Sequence, residues 1–277
     1  MRALILIAVS CDAVRIASLS NHHPDAWSPT SGCLRANATG CNLHVYEAAA
    51  EAAASLGAKM IVYPEAYGLQ NIDEQFEPYI SDVGTRPCAG SLSANAPQQS
   101  SLACFAERYN IAIAASVFAK LPNGTNRIME MVYDAQGSVV VSYSKHKLIP
   151  VFESRYAKAG PFLPTVFSLA GLRWGIVICY EGVYPTTPWG NWDQIDALKA
   201  HGAQAILWSI GSMVPQKISS DIIAKHSAIA VAASEDKARS TFFGANGTLL
   251  PHSSLSLTVS GYTADATVTV ADVDDEA

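Results

Sequence analysis

The stretch Leu43-His-Val-Tyr-Glu-Ala-Ala-Ala-Glu-Ala-Ala-Ala-Ser-Leu56, then Gly57, then Lys59-Met-Ile-Val-Tyr63, decides the fold class. Its first part is dominated by alanine, the strongest helix former, and reads as a helix that Gly57 is placed to end. Its second part is a short apolar strand, halted by Pro64 and followed at once by Glu65. A helix that hands the chain to a buried strand is the repeating step of layered α/β folds, and the same alternation continues outward in both directions. Val14 to Leu19 predicts a strand upstream. Downstream come a helix through Ser101 to Tyr109, a strand at Ile111 to Phe118, and a hairpin of Arg127 to Asp134 with Val139 to Ser144, turned by Ala135-Gln-Gly137. Gly175 to Ile178 predicts a strand, Ile195 to His201 a helix, Ala205 to Ile210 a strand, Ile218 to His226 a helix and Ile229 to Ser234 a strand. The fold class is therefore α/β.

With 277 residues, 49% of them hydrophobic and 15% charged, the chain can build one large core. A net charge of -6 and the lack of any Lys/Arg run exclude nucleic acid as the expected partner and favour a small molecule. The opening Met1 to Ala13 has one positive charge, an apolar run and small residues before a cleavage point, which reads as a compact signal peptide. Residues 14–277 then form a single domain. Ala8-Val-Ser-Cys11 also loosely matches a bacterial lipoprotein site, a weaker reading of the same segment. Sequons at Asn37, Asn123 and Asn246 agree with a secreted or extracytoplasmic, glycosylated protein. Past the leader, no apolar run approaches the roughly twenty residues that span a bilayer. The loops 21–40 and 82–99 are long and rich in Pro, Ser, Gly and Cys, and the acidic end Asp272 to Glu276 reads as a solvated terminus.

Of the six cysteines, Cys11, Cys33, Cys41, Cys88 and Cys104 lie in the first half. Cys33 with Cys41 and Cys88 with Cys104 are the local disulfide pairings once Cys11 leaves with the leader. Cys179 is the odd thiol, and it ends the apolar stretch Leu172-Arg-Trp-Gly-Ile-Val-Ile-Cys-Tyr-Glu181. A lone cysteine in such a strand is more often an inert core residue, so its partners decide its meaning.

Two of those partners also stand directly after strands: Glu65 and, in Ser144-Lys-His-Lys-Leu148, Lys145. Strand ends are where side chains of α/β sheets converge on a ligand. A carboxylate, an ammonium and a thiol supply the base, the oxyanion cation and the nucleophile of acyl transfer through a thioester. Taken singly, Glu65 is also a helix-terminal acid, Lys145 an exposed lysine and Cys179 a core thiol; all three after strands make the catalytic reading the stronger. His22-His23 and His44 lack the spaced partners of a zinc site, and no phosphate-cradling Gly-rich loop is present. Trp189, Trp192 and Trp208 follow the nucleophile and the next strand; they read equally as pocket lining or packing, with Trp208 the one that leans towards the pocket.

In Ala52-Ala-Ala-Ser-Leu-Gly-Ala-Lys-Met-Ile-Val-Tyr-Pro-Glu-Ala-Tyr-Gly68, Leu102 to Ile111, Val132 to Gly137, Tyr143 to Leu148 and His226-Ser-Ala228, the chain resembles the nitrilase, or carbon–nitrogen hydrolase, superfamily, in its biotinidase and vanin branch. That resemblance, running from Val14 to the C-terminus, implies a four-layer α-β-β-α sandwich and a thiol-dependent hydrolase of linear amides that needs no metal or organic cofactor. It assigns Glu65 as general base, Lys145 rather than Lys147 as the oxyanion cation, and Cys179 as nucleophile, with the backbone N–H of Tyr180 as a second oxyanion donor. Glu153, in Val151-Phe-Glu-Ser154, falls where the family has a further glutamate that orients the lysine and substrate. Pantetheine-like or biotin-amide substrates follow from the branch alone. Two departures set the rival expectation of a secreted binding protein that has lost turnover: the stretch between His226 and Ser234 leaves little room for a crossover helix, and the chain stops at Ala277, without the additional C-terminal region of that branch.

Overall fold

The computed structural model describes residues 13–22, 38–70, 75–79, 82–89, 95–183, 193–211, 221, 230–234, 240–257 and 265–273. The leader segment before residue 13, Cys11, Cys33, Asn37, His23, Trp189, Trp192 and the helix expected over 218–226, Asp221 aside, lie outside them, as do the side chains of His22 and Cys41.

The opening stretch forms helix α1, Ala38–Ser55, and strand β2, Met60–Val62. Alanine packs where bulk would not fit: Ala49, Ala50 and Ala53 are fully buried, and Tyr46 on the same helix stacks on Tyr63 at 4.2 Å between ring centroids. The Tyr63 hydroxyl donates to the Tyr46 carbonyl at 2.7 Å, which ties the strand end to the helix just ahead of Glu65.

β2 runs parallel between β1, Val14–His22, and β4, Ala112–Lys120. β4 is buried on both faces for eight of its nine residues, as expected of a central strand covered on both sides. Antiparallel β5, Asn126–Tyr133, and β6, Val139–Ser144, complete that side of the sheet, and a two-residue β3, Glu77–Pro78, adds to β4. The second sheet contains β7, Val166–Leu169, then β8, Leu172–Ile178, β9, Ala205–Ser209, β10, Ala230–Ser234, and β11, Thr241–Phe243. β12, His252–Leu257, and β13, Asp265–Val273, return to the first sheet, where β13 pairs antiparallel with β1 along nine residues.

Apolar side chains of the two sheets face one another in one core, including Val62, Ala114, Ile128, Trp174, Ile176 and Leu207. A second core lies between the first sheet and α1 with α2, Pro97–Tyr109. The helix α4, Asp193–Ala200, packs through Leu198 on Gly175 of the second sheet. The order helix, sheet, sheet, helix is the four-layer α-β-β-α sandwich expected from the resemblance.

Three sequence expectations need amending. The sequence reading does not include strands β7, β11, β12 and β13, which supply three sheet edges and the partner of β1. Asp272 is not in a free tail but in β13, where Arg15 donates to both its oxygens at 2.8 and 2.9 Å. The loop 82–99 ends early, at Pro97, and Cys88 is bonded to Cys104 of α2. Asn123 and Asn246 sit exposed in hairpin turns, each accepting the backbone N–H of the Thr two residues on.

Candidate active site

Glu65, Lys145 and Cys179 come from three strand ends and meet between the sheets. Glu65 follows β2, Lys145 follows β6, and Cys179 follows β8. Lys145 is fully buried, and its Nζ donates to Glu65 Oε1 at 2.6 Å and to Glu153 Oε1 at 2.7 Å. Burial alone would lower the lysine pKa, but the fields of Glu65, Cys179 and Glu153 more than offset it and hold the ammonium charged. The Lys145 backbone N–H extends the hairpin to the Ile128 carbonyl at 2.9 Å, so the first residue past β6 keeps strand geometry and its side chain a fixed direction. Lys147 is placed elsewhere, its Nζ 5.7 Å from the centre of the Tyr180 ring.

Glu153 opens a single 3-10 turn and is completely buried; its second oxygen accepts the Ile149 N–H at 2.7 Å. The Tyr67 hydroxyl lies 3.5 Å from its first oxygen. Glu65 has its pKa raised, first by burial and further by Glu153, against the lowering by Lys145 and by a hydrogen bond from Cys179. A carboxylate so placed accepts a proton more readily than one in water.

Cys179 stands at the turn from β8 into the short helix α3, Tyr180–Val183, with φ +41°, a left-handed backbone that costs an L-residue about 1–2 kcal/mol. The turn is held by hydrogen bonds on both of its peptide groups. Its N–H donates to the Ser209 carbonyl at 2.8 Å, and its carbonyl accepts from Gly182 N–H at 3.0 Å and Trp208 Nε1 at 3.1 Å. The thiol is 3% exposed and is pushed up to about 12, first by burial and then by Glu65, while Lys145 and the Gly211 backbone N–H pull it down. In the resting state it is therefore a neutral thiol aimed at a carboxylate.

Two glycines let the chain close in. A Cβ on Gly182 would lie 2.5 Å from Trp208 Cζ2, and one on Gly211 would lie 2.6 Å from Glu65 Oε2. Trp208 is 1% exposed and sits beneath the Cys179 turn, its indole N–H committed to the Cys179 carbonyl. The sequence reading leans towards pocket lining for Trp208; the structure places it behind the Cys179 turn.

Four residues of the site escaped the sequence reading. Gly211 lies two residues past the end of β9, the strand parallel to β8, a strand-end position that could have marked it. Tyr67 and Tyr156 face the site: Tyr67 meets Phe118 edge-on at 5.2 Å, and the Tyr156 hydroxyl is raised by burial and then by Glu65 and Cys179. Glu181, two residues past the cysteine, is buried and accepts hydrogen bonds from both sheets, from Ile178 N–H at 2.8 Å and from the Tyr143 hydroxyl at 2.8 Å.

The family model for carbon-nitrogen hydrolases matches residues 29–230. The pantetheinase of Canis lupus familiaris is 28% identical over 160 residues, which covers 50% of this chain and 31% of that protein. The pantetheinase of Homo sapiens is 28% identical over 159 residues, with 50% and 31% covered. The chain thus spans under a third of the length of these curated relatives. Among solved structures, an amidase from Nesterenkonia sp. superposes with a TM-score of 0.68 at 20% identity, covering 98% of this chain and 94% of that one. A mutant of the Nesterenkonia sp. AN1 amidase, with the acetamide moiety of fluoroacetamide covalently added at its active-site cysteine, gives a TM-score of 0.68 at 20% identity over 96% of this chain and 92% of its own. At that identity the likeness carries the fold. Among the described residues, no helix is long and apolar enough to cross a membrane.

Proposed function

Since the chain belongs to the carbon-nitrogen hydrolase family, we propose that it hydrolyses a linear, non-peptide amide to an acid and an amine through a thioester on Cys179. The observation that carries this reading is a buried ammonium held between two buried carboxylates, one of which also accepts a hydrogen bond from the only thiol found free among the described residues.

Glu65 takes the proton of the Cys179 thiol as the sulfur attacks the amide carbonyl. The carbonyl oxygen becomes an oxyanion, stabilised by Lys145 Nζ and the Tyr180 backbone N–H. Glu65 returns the proton to the nitrogen as the C–N bond breaks, and the amine leaves. Water then attacks the thioester while Glu65 accepts its proton; the C–S bond breaks, the acid is released, and Glu65 reprotonates the thiolate. Glu153 fixes the Lys145 ammonium throughout, and Trp208 braces the turn that presents the sulfur.

A pantetheine-like amide is the favoured substrate, supported by the relatives named pantetheinase. The Cys88–Cys104 bridge and the exposed turns at Asn123 and Asn246 support an extracytoplasmic, glycosylated protein whose leader has been removed. The test is release of amine from a panel of amides, pantetheine and a biotinyl amide included, by the wild type and by Cys179→Ala. Release by wild type alone is expected. Equal release by both proteins refutes the thioester, and silence of both across the panel refutes the hydrolase.

A further inference from the structure

The proposed chemistry leaves Glu181 without a task, yet its carboxylate is the most heavily hydrogen-bonded group near the sulfur. Oε2 accepts from the N–H of Ile178, the residue just before the cysteine, at 2.8 Å. Oε1 accepts from the N–H of His146 at 2.7 Å and, more weakly, from that of Lys147 at 3.3 Å, the two residues just after the lysine. The same oxygen accepts the Tyr143 hydroxyl at 2.8 Å and lies 2.7 Å from His146 Nδ1. One side chain thus grips the strand end on the near side of Cys179 and the chain on both sides of Lys145.

The topology shows why such a grip is needed. Cys179 belongs to the second sheet and Lys145 to the first, and the sheets meet through an apolar core. Apolar contact is non-directional and tolerates sliding, whereas hydrogen bonds fix a distance to a few tenths of an ångström. β6, which leads into Lys145, is also the last strand of its sheet among the described residues, so on its outer side no described strand sets its register. Gln194 adds a smaller tie of the same kind, its Nε2 donating to the Tyr143 hydroxyl at 2.8 Å and to the Ile176 carbonyl at 2.9 Å.

We infer that Glu181 is a positioning residue, whose carboxylate fastens the Cys179 turn to the Lys145 strand end and so sets the spacing of nucleophile and oxyanion cation. The inference rests on the reading of Cys179 and Lys145 as the reacting pair. It touches neither the substrate nor the sulfur, so its loss lowers the rate of reaction at a fixed affinity. Glu181→Gln keeps the volume, but either orientation of its amide points an N–H₂ at N–H donors on one side of the clamp.

The experiment measures steady-state amide hydrolysis, alkylation of Cys179 by iodoacetamide, and thermal unfolding, for wild type, Glu181→Gln and Glu181→Asp. For Glu181→Gln we expect kcat to fall about 100-fold with KM within about threefold, as a displacement near 1 Å does, and alkylation to slow about tenfold. Glu181→Asp keeps the charge and loses one methylene of reach; it should fold, lose about tenfold in kcat, and decide the matter should the Gln variant not fold. Unchanged kcat and alkylation in a folded variant of an active enzyme overturn the role of Glu181 and leave the amidase reading intact. A lowered unfolding temperature with full kcat per folded molecule also overturns it. A wild type silent on amides, whose alkylation nevertheless slows in Glu181→Gln, supports the clamp and removes the amidase.

Discussion

Replacing Gly182 by Ala tests whether the turn at Cys179 depends on Trp208 lying against it. The new methyl would come within 2.5 Å of Trp208 Cζ2 and 2.6 Å of Cε2, about an ångström inside contact distance. Trp208 is 1% exposed and cannot swing out, so the ring must shift and its 3.1 Å hydrogen bond to the Cys179 carbonyl breaks. Overpacking costs about 1–3 kcal/mol and the lost hydrogen bond about 1 kcal/mol, so Gly182→Ala should cost about 2–4 kcal/mol in stability. The left-handed turn then loses one of its restraints, and kcat should drop by about 100-fold through displacement of the sulfur. Trp208→Phe gives up the indole N–H and its fused ring, which is the part of Trp208 that the methyl strikes. The two substitutions together should therefore be less harmful than their sum, with a coupling of about 1–3 kcal/mol. Urea unfolding of the four proteins gives the cycle, provided the slope with denaturant is unchanged, and amide turnover gives the second axis. A Gly182→Ala protein of wild-type stability and turnover refutes the reasoning, as does strict additivity.

Three further outcomes follow from the buried charges. Burial pushes Glu77 up to about 7 from 4.5, against N–H donors from Gln98 and Gln99 at the start of α2, so the folded state holds this proton more tightly than the unfolded one. Its stabilising contribution, about 3 kcal/mol at most, is complete below pH 4.5 and lost as pH rises through 7. Urea midpoints at pH 5 and pH 8 should show that loss, less of it in Glu77→Gln; an identical pH slope in the two proteins counts against it. Lys145→Met strips the cation from two buried carboxylates and should cost about 3–5 kcal/mol, shrinking at low pH as Glu65, whose pKa is raised by burial, takes up a proton, which unfolding between pH 5 and 8 measures. Glu65→Gln removes the proton acceptor but also a charge that raises the thiol, so turnover rather than alkylation reads its role: kcat should fall by about 10²–10⁴, and an unaltered kcat would show that Glu65 is not the base.

How much of this was legible in the sequence differs by element for physical reasons. α1 and β2 were plain because composition and period agree: alanine for the helix, Met60-Ile-Val62 for a strand buried on both faces. β12 hid because His252-Ser-Ser-Leu-Ser-Leu257 is an exposed edge strand whose polar side chains mimic a loop; its stability comes from six pairings with β13. β13 did alternate, but Asp272 within it drew the reading towards a charged tail, and its partner Arg15 lies 257 residues away. The site divided along the same line. Glu65, Lys145 and Cys179 could be placed because each follows its own strand, a local signal. Glu181 lies two residues past the cysteine but carries no local signal, because the role inferred for it depends on where β6 ends, and only the packing of one sheet on the other says that. Trp208 was misplaced for a related reason: alternation along β9 puts it on the face opposite Ser209, and Ser209 is the one that looks between the sheets, donating to Glu130 at 3.0 Å.

In the proposed thioester route, charge conservation within the site explains why so costly a cluster is built at all. At rest it holds Lys145 positive, Glu65 and Glu153 negative and Cys179 neutral, one net negative charge sealed from water. Moving the thiol proton to Glu65 leaves the net charge where it was and shifts only its location, from the carboxylate to the sulfur and then to the oxyanion. The desolvation that pushes Cys179 to about 12 also raises Glu65, so the transfer is less uphill than the thiol alone would suggest. The same transfer acts on Lys145. Once Glu65 is neutral, one of the two anions that balance the ammonium is gone, and its field is released towards the negative oxygen forming beside it. Glu153 keeps the ammonium in place while this happens, its own oxygen 2.7 Å away. On this account Glu153→Gln frees more of the lysine's charge but lets its position drift, so it should lower kcat and leave the protein folded. Glu65→Gln removes both the base and the switch, and should lower kcat further by at least about tenfold. Parallel turnover measurements decide it: equal losses in the two variants would mean that the two carboxylates serve only as counter-ions.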